Sequence, residues 1–93
     1  MIIVSQDAKS IYNFDNIKSI DILKNEIYIT DDILADEGAL IGRYKTKERA
    51  KEVLEEITEN YATSIDYMYN QTLLIRELEK YKESLIYRMP KEW

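Results

Sequence analysis

The stretch that decides the fold is Ala39–Tyr61, ALIGRYKTKERAKEVLEEITENY. Its two halves obey different periods. Ala39–Tyr44 is a short apolar-rich run, with Leu40 and Ile41 at its centre, and reads as a strand. After Lys45 the period changes. Ala50, Val53, Leu54, Ile57 and Tyr61 follow at spacings of three and four, which places them on one face of a helix. The other face carries Lys51, Glu52, Glu55, Glu56 and Glu59. Thr46 stands where an N-cap belongs, and Glu48 lies in the first turn, where a carboxylate meets the positive end of the helix dipole. The junction is therefore a strand followed directly by an amphipathic helix.

Working back toward residue 1, the chain reads as strands. Ile2-Ile3-Val4 is apolar and is bounded by the polar stretch Ser5–Ser10. Ile11–Phe14 follows, then Asp15-Asn16, a natural turn pair. From Ile17 the pattern alternates, with Ile20 and Ile22 on one face and Ser19 and Asp21 on the other. Lys24-Asn25 offers a hairpin turn into Glu26–Thr30, which is β-branched and aromatic. Residues 31–37 form an acidic loop. The expectation is a single α+β domain over 1–93: a small antiparallel sheet of four or five strands within about 2–45, packed by one or two helices. The expected core is Ile3, Phe14, Ile20, Ile22, Ile27, Ile29, Leu40 and Tyr44 from the sheet, covered by Val53, Leu54 and Ile57.

Beyond Tyr61 there is no Gly or Pro until Pro90. Tyr67, Leu74 and Tyr81 recur every seven residues, and Gln71, Leu78 and Leu85 form a companion set, a stripe suited to packing along another helix. The β-branched patch at Thr63-Ser64-Ile65 suggests a join, giving helices over about 47–61 and 64–84, with one long bent helix over 47–84 as the alternative. Leu85–Met89 is expected to return to extended structure, because the residue before a proline avoids the helical region.

Composition narrows the chemistry. The 93 residues contain neither Cys nor His. Thiol nucleophiles, imidazole bases and Cys or His metal sites are thereby excluded. Glycine-rich phosphate loops and nucleophile elbows are absent from the sequence. No catalytic residue, cofactor or metal is expected. Disulfides cannot form, which fits a cytoplasmic location. No apolar run is long enough for a membrane span. The net charge of -5 argues against direct nucleic-acid binding.

Four groups of residues remain as candidates. Asp31, Asp32, Asp36 and Glu37 could offer oxygen ligands to a cation, but their spacing does not follow the alternating pattern of a calcium loop, and a solvated loop is the simpler reading. The stripe Glu52, Glu55, Glu56 and Glu59 reads as a solvated face interleaved with Lys47 and Lys51, and as a patch that would fit a basic protein surface. Among the eight tyrosines, Tyr67 and Tyr69 cannot share one helical face, so one of them is expected at an interface. Arg43, Arg76 and Arg88, with Tyr87, could build a nucleotide pocket, within one chain or between two copies of a homo-oligomer.

Three blocks carry a resemblance: IIVSQDAKSIYNFDNI (2–17), IGRYKTKERAKEVLEEI (41–57) and YRMPKE (87–92). With their "SQD…NFDNI", "GxYKTxERAKEVLxEI" and "MP" patterns, they resemble a group of small proteins from phages, prophages and mobile elements of Firmicutes. The segment from Ala62 to Tyr81 is the least family-like, and so the expected seat of specificity. In outline the chain is similar to two kinds of counter-defence protein. Anti-CRISPR inhibitors are small, acidic and non-enzymatic, and cover a basic surface of a host defence complex. Anti-Thoeris sponges are small oligomers that sequester a cyclic nucleotide. The resemblance implies action inside the host bacterial cell, with a host defence protein as the partner or, in the second case, a cyclic nucleotide as the ligand.

Overall fold

The computed structural model describes residues 1–31, 38–69 and 83–92, with backbone alone for 66–69. The strands are β1 (Ile2–Val4), β2 (Ile11–Asn13), β3 (Ser19–Leu23), β4 (Glu26–Thr30), β5 (Ala39–Arg43) and β6 (Ile86–Arg88), and the helix α1 spans Lys47–Tyr69. A single 3-10 turn, Phe14–Asn16, separates β2 from β3, with the Asn13 side chain accepting from the Asp15 amide.

The fold is α+β, as expected, but the strands do not form one antiparallel sheet. They form two sheets of three, ordered β2-β1-β6 and β3-β4-β5. The break falls where the 3-10 turn interrupts the chain, so the alternation begins at Ser19 and not at Ile17. β6 pairs parallel with β1, Ile2 opposite Ile86 and Val4 opposite Arg88. A parallel partner must arrive by a crossover, and here it arrives after the helix, where no local pattern in the first half of the chain could announce it. Of the expected extended stretch Leu85–Met89, Ile86–Arg88 forms the strand, and Leu85 is a turn residue.

The second sheet is a hairpin meander. Lys24-Asn25 makes the β3–β4 turn, and Lys24 takes a positive φ of 59° to do so. β4 and β5 change register at a bulge: Ile27 opposes Gly42 and Tyr28 opposes Leu40, leaving Ile41 as the extra residue. The bulge reverses the faces expected for this strand. Leu40 is 43% exposed, while Ile41 is buried at 1%.

Helix α1 passes without a break through the expected join at Thr63–Ile65. The polar side chains there bond back into the helix: Thr63 Oγ1 donates to the Glu59 carbonyl and Ser64 Oγ to that of Tyr61. Their hydroxyls therefore need no turn to satisfy them. The expected heptad stripe and its second helix lie largely at 70–82, outside the described residues, as does Trp93.

The core lies between α1 and the inner faces of the sheets. Ile3, Ile27, Ile29, Ile41, Tyr44, Ala50, Val53, Ile57 and Met89 are buried, with Tyr12, Phe14, Ile20, Ile22 and Tyr87 packed against them. Leu54 is only half-buried. Each buried isoleucine contributes about 1.5–3 kcal/mol. Phe14 and Tyr61 meet edge to face with ring centres 4.7 Å apart, fixing the 3-10 turn on the helix.

Gly42 is where this packing is tightest. A Cβ there would lie 2.9 Å from Met89 Cε and 3.0 Å from Tyr44 Cε2. Both neighbours are fully packed, so Gly42→Ala is expected to cost about 1–3 kcal/mol, measured as a lower urea midpoint with an unchanged slope. An unchanged midpoint would show that Met89 and Tyr44 can give way.

Candidate functional site

The sequence Ser5-Gln6-Asp7 leaves β1 and builds a tight loop. The Ser5 hydroxyl donates to Asp7 Oδ1 at 2.7 Å and accepts from the Ser10 amide at 3.1 Å. Asp7 also accepts from the Lys9 amide. The Ser5 hydroxyl, then the Lys9 amide, hold the Asp7 carboxyl below its usual range. Ala8 closes the loop at a φ of 60°.

Within this loop Gln6 turns inward, and is 4% exposed. Its backbone amide donates to the Ile41 carbonyl at 2.8 Å. Its side-chain Oε1 accepts from the Arg43 amide at 2.7 Å, and Nε2 donates to the Arg43 carbonyl at 2.8 Å. This is the pair of bonds a neighbouring strand would make, supplied by one side chain at the open edge of β5. Nε2 also lies within bonding reach of the Pro90 and Glu92 carbonyls. Gln6 thus joins β5 to the segment that follows β6. A shallow cleft of about 140 Å³ opens beside it, lined by Ser5, Gln6, Asp7 and Leu40–Arg43. Pockets for small molecules run to about 300–1,000 Å³, so this cleft is too small to enclose a nucleotide.

The second cluster lies at the start of α1. Thr46 is the N-cap, its Oγ1 accepting from the Arg49 amide at 3.0 Å. That places the Arg49 side chain beside Glu92, where Nε and Nη2 meet the two carboxylate oxygens at 2.8 and 2.7 Å. Nη1 reaches Glu52 at 3.0 Å and Glu56 at 3.4 Å. Glu56 also accepts from the Tyr87 hydroxyl at 2.9 Å. The fork of Arg49 holds the Glu92 carboxyl below its usual range. Desolvation, then the bond to Glu56, pushes the Tyr87 phenol up. Tyr44, 1% exposed, donates to the Pro90 carbonyl at 3.2 Å, and desolvation raises its phenol to about 12.

The glutamate stripe expected from the sequence is present and solvent-facing. At 3.6 residues per turn, Glu48, Glu52, Glu55, Glu56 and Glu59 fall within an arc of about 100° on α1. All five are exposed. Glu52 and Glu56 take Arg49 as their partner and not the expected lysines. Tyr67 and Tyr69 sit in the last turns of α1, and their side chains lie outside the described residues.

Of the candidate nucleotide residues, Arg43, Tyr87 and Arg88 lie among the described residues. Arg43 pairs with Glu26 across β4 and β5 at 3.0 Å. Tyr87 and Arg88 are consecutive in β6, so their side chains leave on opposite faces. Arg76 lies outside the described residues, as do Asp32, Asp36 and Glu37 of the acidic loop. Among the described residues no group of acidic side chains is placed to hold a metal ion, and no helix is long and apolar enough to cross a membrane. No family, curated protein or solved structure matches the chain.

Gln6 and Glu92 carry this region, and neither stands out in the sequence. A glutamine after an apolar run reads as the end of a strand, and a glutamate near Pro90 reads as a solvated residue.

Gln6→Ala would leave the Arg43 amide and carbonyl and the Glu92 carbonyl without the partner that Gln6 supplies, while the Pro90 carbonyl keeps the Tyr44 hydroxyl. The expected loss is about 2–3 kcal/mol in urea denaturation; a loss under about 0.5 kcal/mol would mean water replaces the amide. Tyr44 supplies a pH test. Between its ordinary value near 10 and its folded value of about 12, the unfolded chain releases a proton that the folded chain keeps. Stability must therefore fall as pH rises through that window. Tyr44→Phe should flatten this alkaline decline, with Tyr87 leaving a residual slope.

Proposed function

We propose that this protein acts by binding and not by catalysis, as a phage or prophage counter-defence factor that covers a basic surface of a host defence protein. The observation that carries this reading is the acidic arc of α1, with Glu48, Glu52, Glu55, Glu56 and Glu59 all exposed. Such an arc, on a chain of net charge -5, steers toward a positive groove and disfavours nucleic acid itself. The helix is pinned along its buried face by Ala50, Val53 and Ile57, so the carboxylates are presented on a rigid element at little ordering cost. An anti-CRISPR-like inhibitor needs no more than this: a surface that fits where nucleic acid or a partner subunit would otherwise lie. The reading places the protein in the host bacterial cytoplasm.

The supporting features are partly negative. Imidazole and thiol groups are missing from the chain, and the cleft beside Gln6 is shallow and small. The strand-to-helix junction that resembles small phage proteins is also the junction that presents the arc.

The test is co-purification from a bacterial host carrying an active defence nuclease, alongside phage plaque counts on that host. The chain should raise plaque counts and retain a defence component at low salt. That component should be lost as ionic strength rises past the point where the Debye length falls below about 10 Å. Glu55→Lys with Glu59→Lys removes two carboxylates that lie away from Arg49. At up to about 1 kcal/mol for each charge, the double substitution should weaken capture by up to about thirtyfold without lowering stability. Unchanged plaque counts with no defence component recovered would sink the reading.

A further inference from the structure

The meander β3-β4-β5 has two edges. Gln6 caps that of β5 through Arg43, and β3 forms the other. Which backbone groups of β3 face outward follows from β4. The Tyr44 amide donates to the Asn25 carbonyl at 2.9 Å, and Ile27 stands opposite Gly42 two residues on. Each strand residue sends both its backbone groups to one side, so Asn25 and Ile27 bond toward β5, and Glu26, Tyr28 and Thr30 bond toward β3. Their partners there are Leu23, Asp21 and Ser19. Ile20 and Ile22 are left with N–H and C=O pointing away from the sheet. Among the described residues no hydrogen bond reaches those groups. The side chains along this edge sort into two faces. Ile20 and Ile22 pack against the core yet stay half-buried, which makes the inner side of the edge apolar. Asp21 is exposed on the outer side, where the Ser19 hydroxyl donates to its Oδ2 at 3.0 Å. Among the described residues no cation pairs with it.

We propose that the β3 edge is a docking site for an extended segment of a partner protein, which adds as an antiparallel strand and carries an apolar–basic–apolar triplet. Its backbone bonds to both groups of Ile20 and of Ile22. Its two apolar side chains stand opposite those residues and extend the inner face, and the Lys or Arg between them lies opposite Asp21. Charge decides the occupant. A second copy, in the register that uses both isoleucines, would set Ile20 of each copy against Ile22 of the other and the two Asp21 residues against each other. Like charges directly across a strand pair are destabilising. A basic residue at that position turns the repulsion into attraction, and the net charge of -5 favours its approach. The inference stands apart from the acidic arc of α1, because Asp21 belongs to β3 and the readout is peptide binding.

The probe is a short capped fluorescent peptide with Val-Lys-Val at its centre and threonine on both sides, compared with the same peptide carrying Glu in place of Lys. Anisotropy with the full chain should show the Lys peptide binding about fivefold more tightly. Asp21→Lys, a change at an exposed side chain, should invert that order. Methylating the amides of the two valines, which face β3, should abolish binding, whereas methylating the amide of the central lysine should reduce it far less. Attraction between charges alone makes no such distinction. Hydrogen exchange gives a second reading. The Ile20 and Ile22 amides should exchange fast in the free chain while those of Asp21 and Leu23 are protected, and saturating peptide should slow the first two. The proposal is overturned by no binding of either peptide, by equal affinity for the two, or by equal effects of methylation at all three amides. It is overturned equally by Ile20 and Ile22 amides already protected in a chain that light scattering shows at doubled mass, since a second copy would then hold the edge.

Discussion

One side-chain amide holds the architecture together. Gln6 offers a donor and an acceptor in the spacing of a peptide group, and it offers them to Arg43, at the outer edge of β5. A sheet edge in water tends to recruit another chain, and a three-stranded meander ending at β5 would be open to that. Here the edge is closed by a residue from the other sheet. The cost of leaving any of these groups dry and unbonded explains why the contact is fixed and not incidental. The same amide then reaches the carbonyls of Pro90 and Glu92, so three segments remote in sequence meet at one residue.

From that point the rest of the arrangement is constrained. With β1 leading into Gln6, the β2-β1-β6 sheet must lie beside β5, and α1 is left to cover both inner faces. The segment after β6 is drawn across the start of α1, which brings Glu92 to Arg49. Gly42 then cannot carry a side chain, because Met89 and Tyr44 occupy its surroundings. The bulge at Ile41 belongs to the same geometry: it turns Ile41 inward and lets Leu40 out, beside the Gln6 loop. Polar satisfaction at the edge and dense packing beneath it are thus two aspects of one junction.

The features legible in the sequence are those with a local cause. The capping role of Thr46, the apolar face of α1, the turn at Lys24-Asn25 and the alternation of Ile20 with Ile22 depend on neighbours within a few residues, and a single sequence carries that information. The division into two sheets was not legible. It depends on β6 returning to β1 after the helix, and parallel pairing of two three-residue strands leaves no periodic signal. The bulge that exposes Leu40 was likewise invisible, since Leu40 and Ile41 have nearly equal claims to the core. For the candidate surface, the glutamate stripe followed from helical spacing alone. Its partner did not, because Lys47 and Lys51 were the nearer cations, whereas Arg49 gains a fixed direction from the Thr46 cap and a second carboxylate from Glu92.

These two regions divide the molecule's possible work. Among the described residues no buried side-chain nitrogen or oxygen lacks a hydrogen-bond partner, and the surroundings of Gln6 are suited to holding a defined segment in a defined pose. The outer arc of α1 is the reverse: Glu48, Glu55 and Glu59 stand in solvent on a helix anchored by its buried face. A chain without imidazole or thiol has few means of moving protons at neutral pH, and its tyrosines at 44 and 87 are driven further from that range by burial. The conflict between the two regions is mild, because Arg49 sits at their border. It neutralises Glu52 and Glu56 where they approach Glu92, and leaves the carboxylates farther round the helix to set the sign of the exposed face.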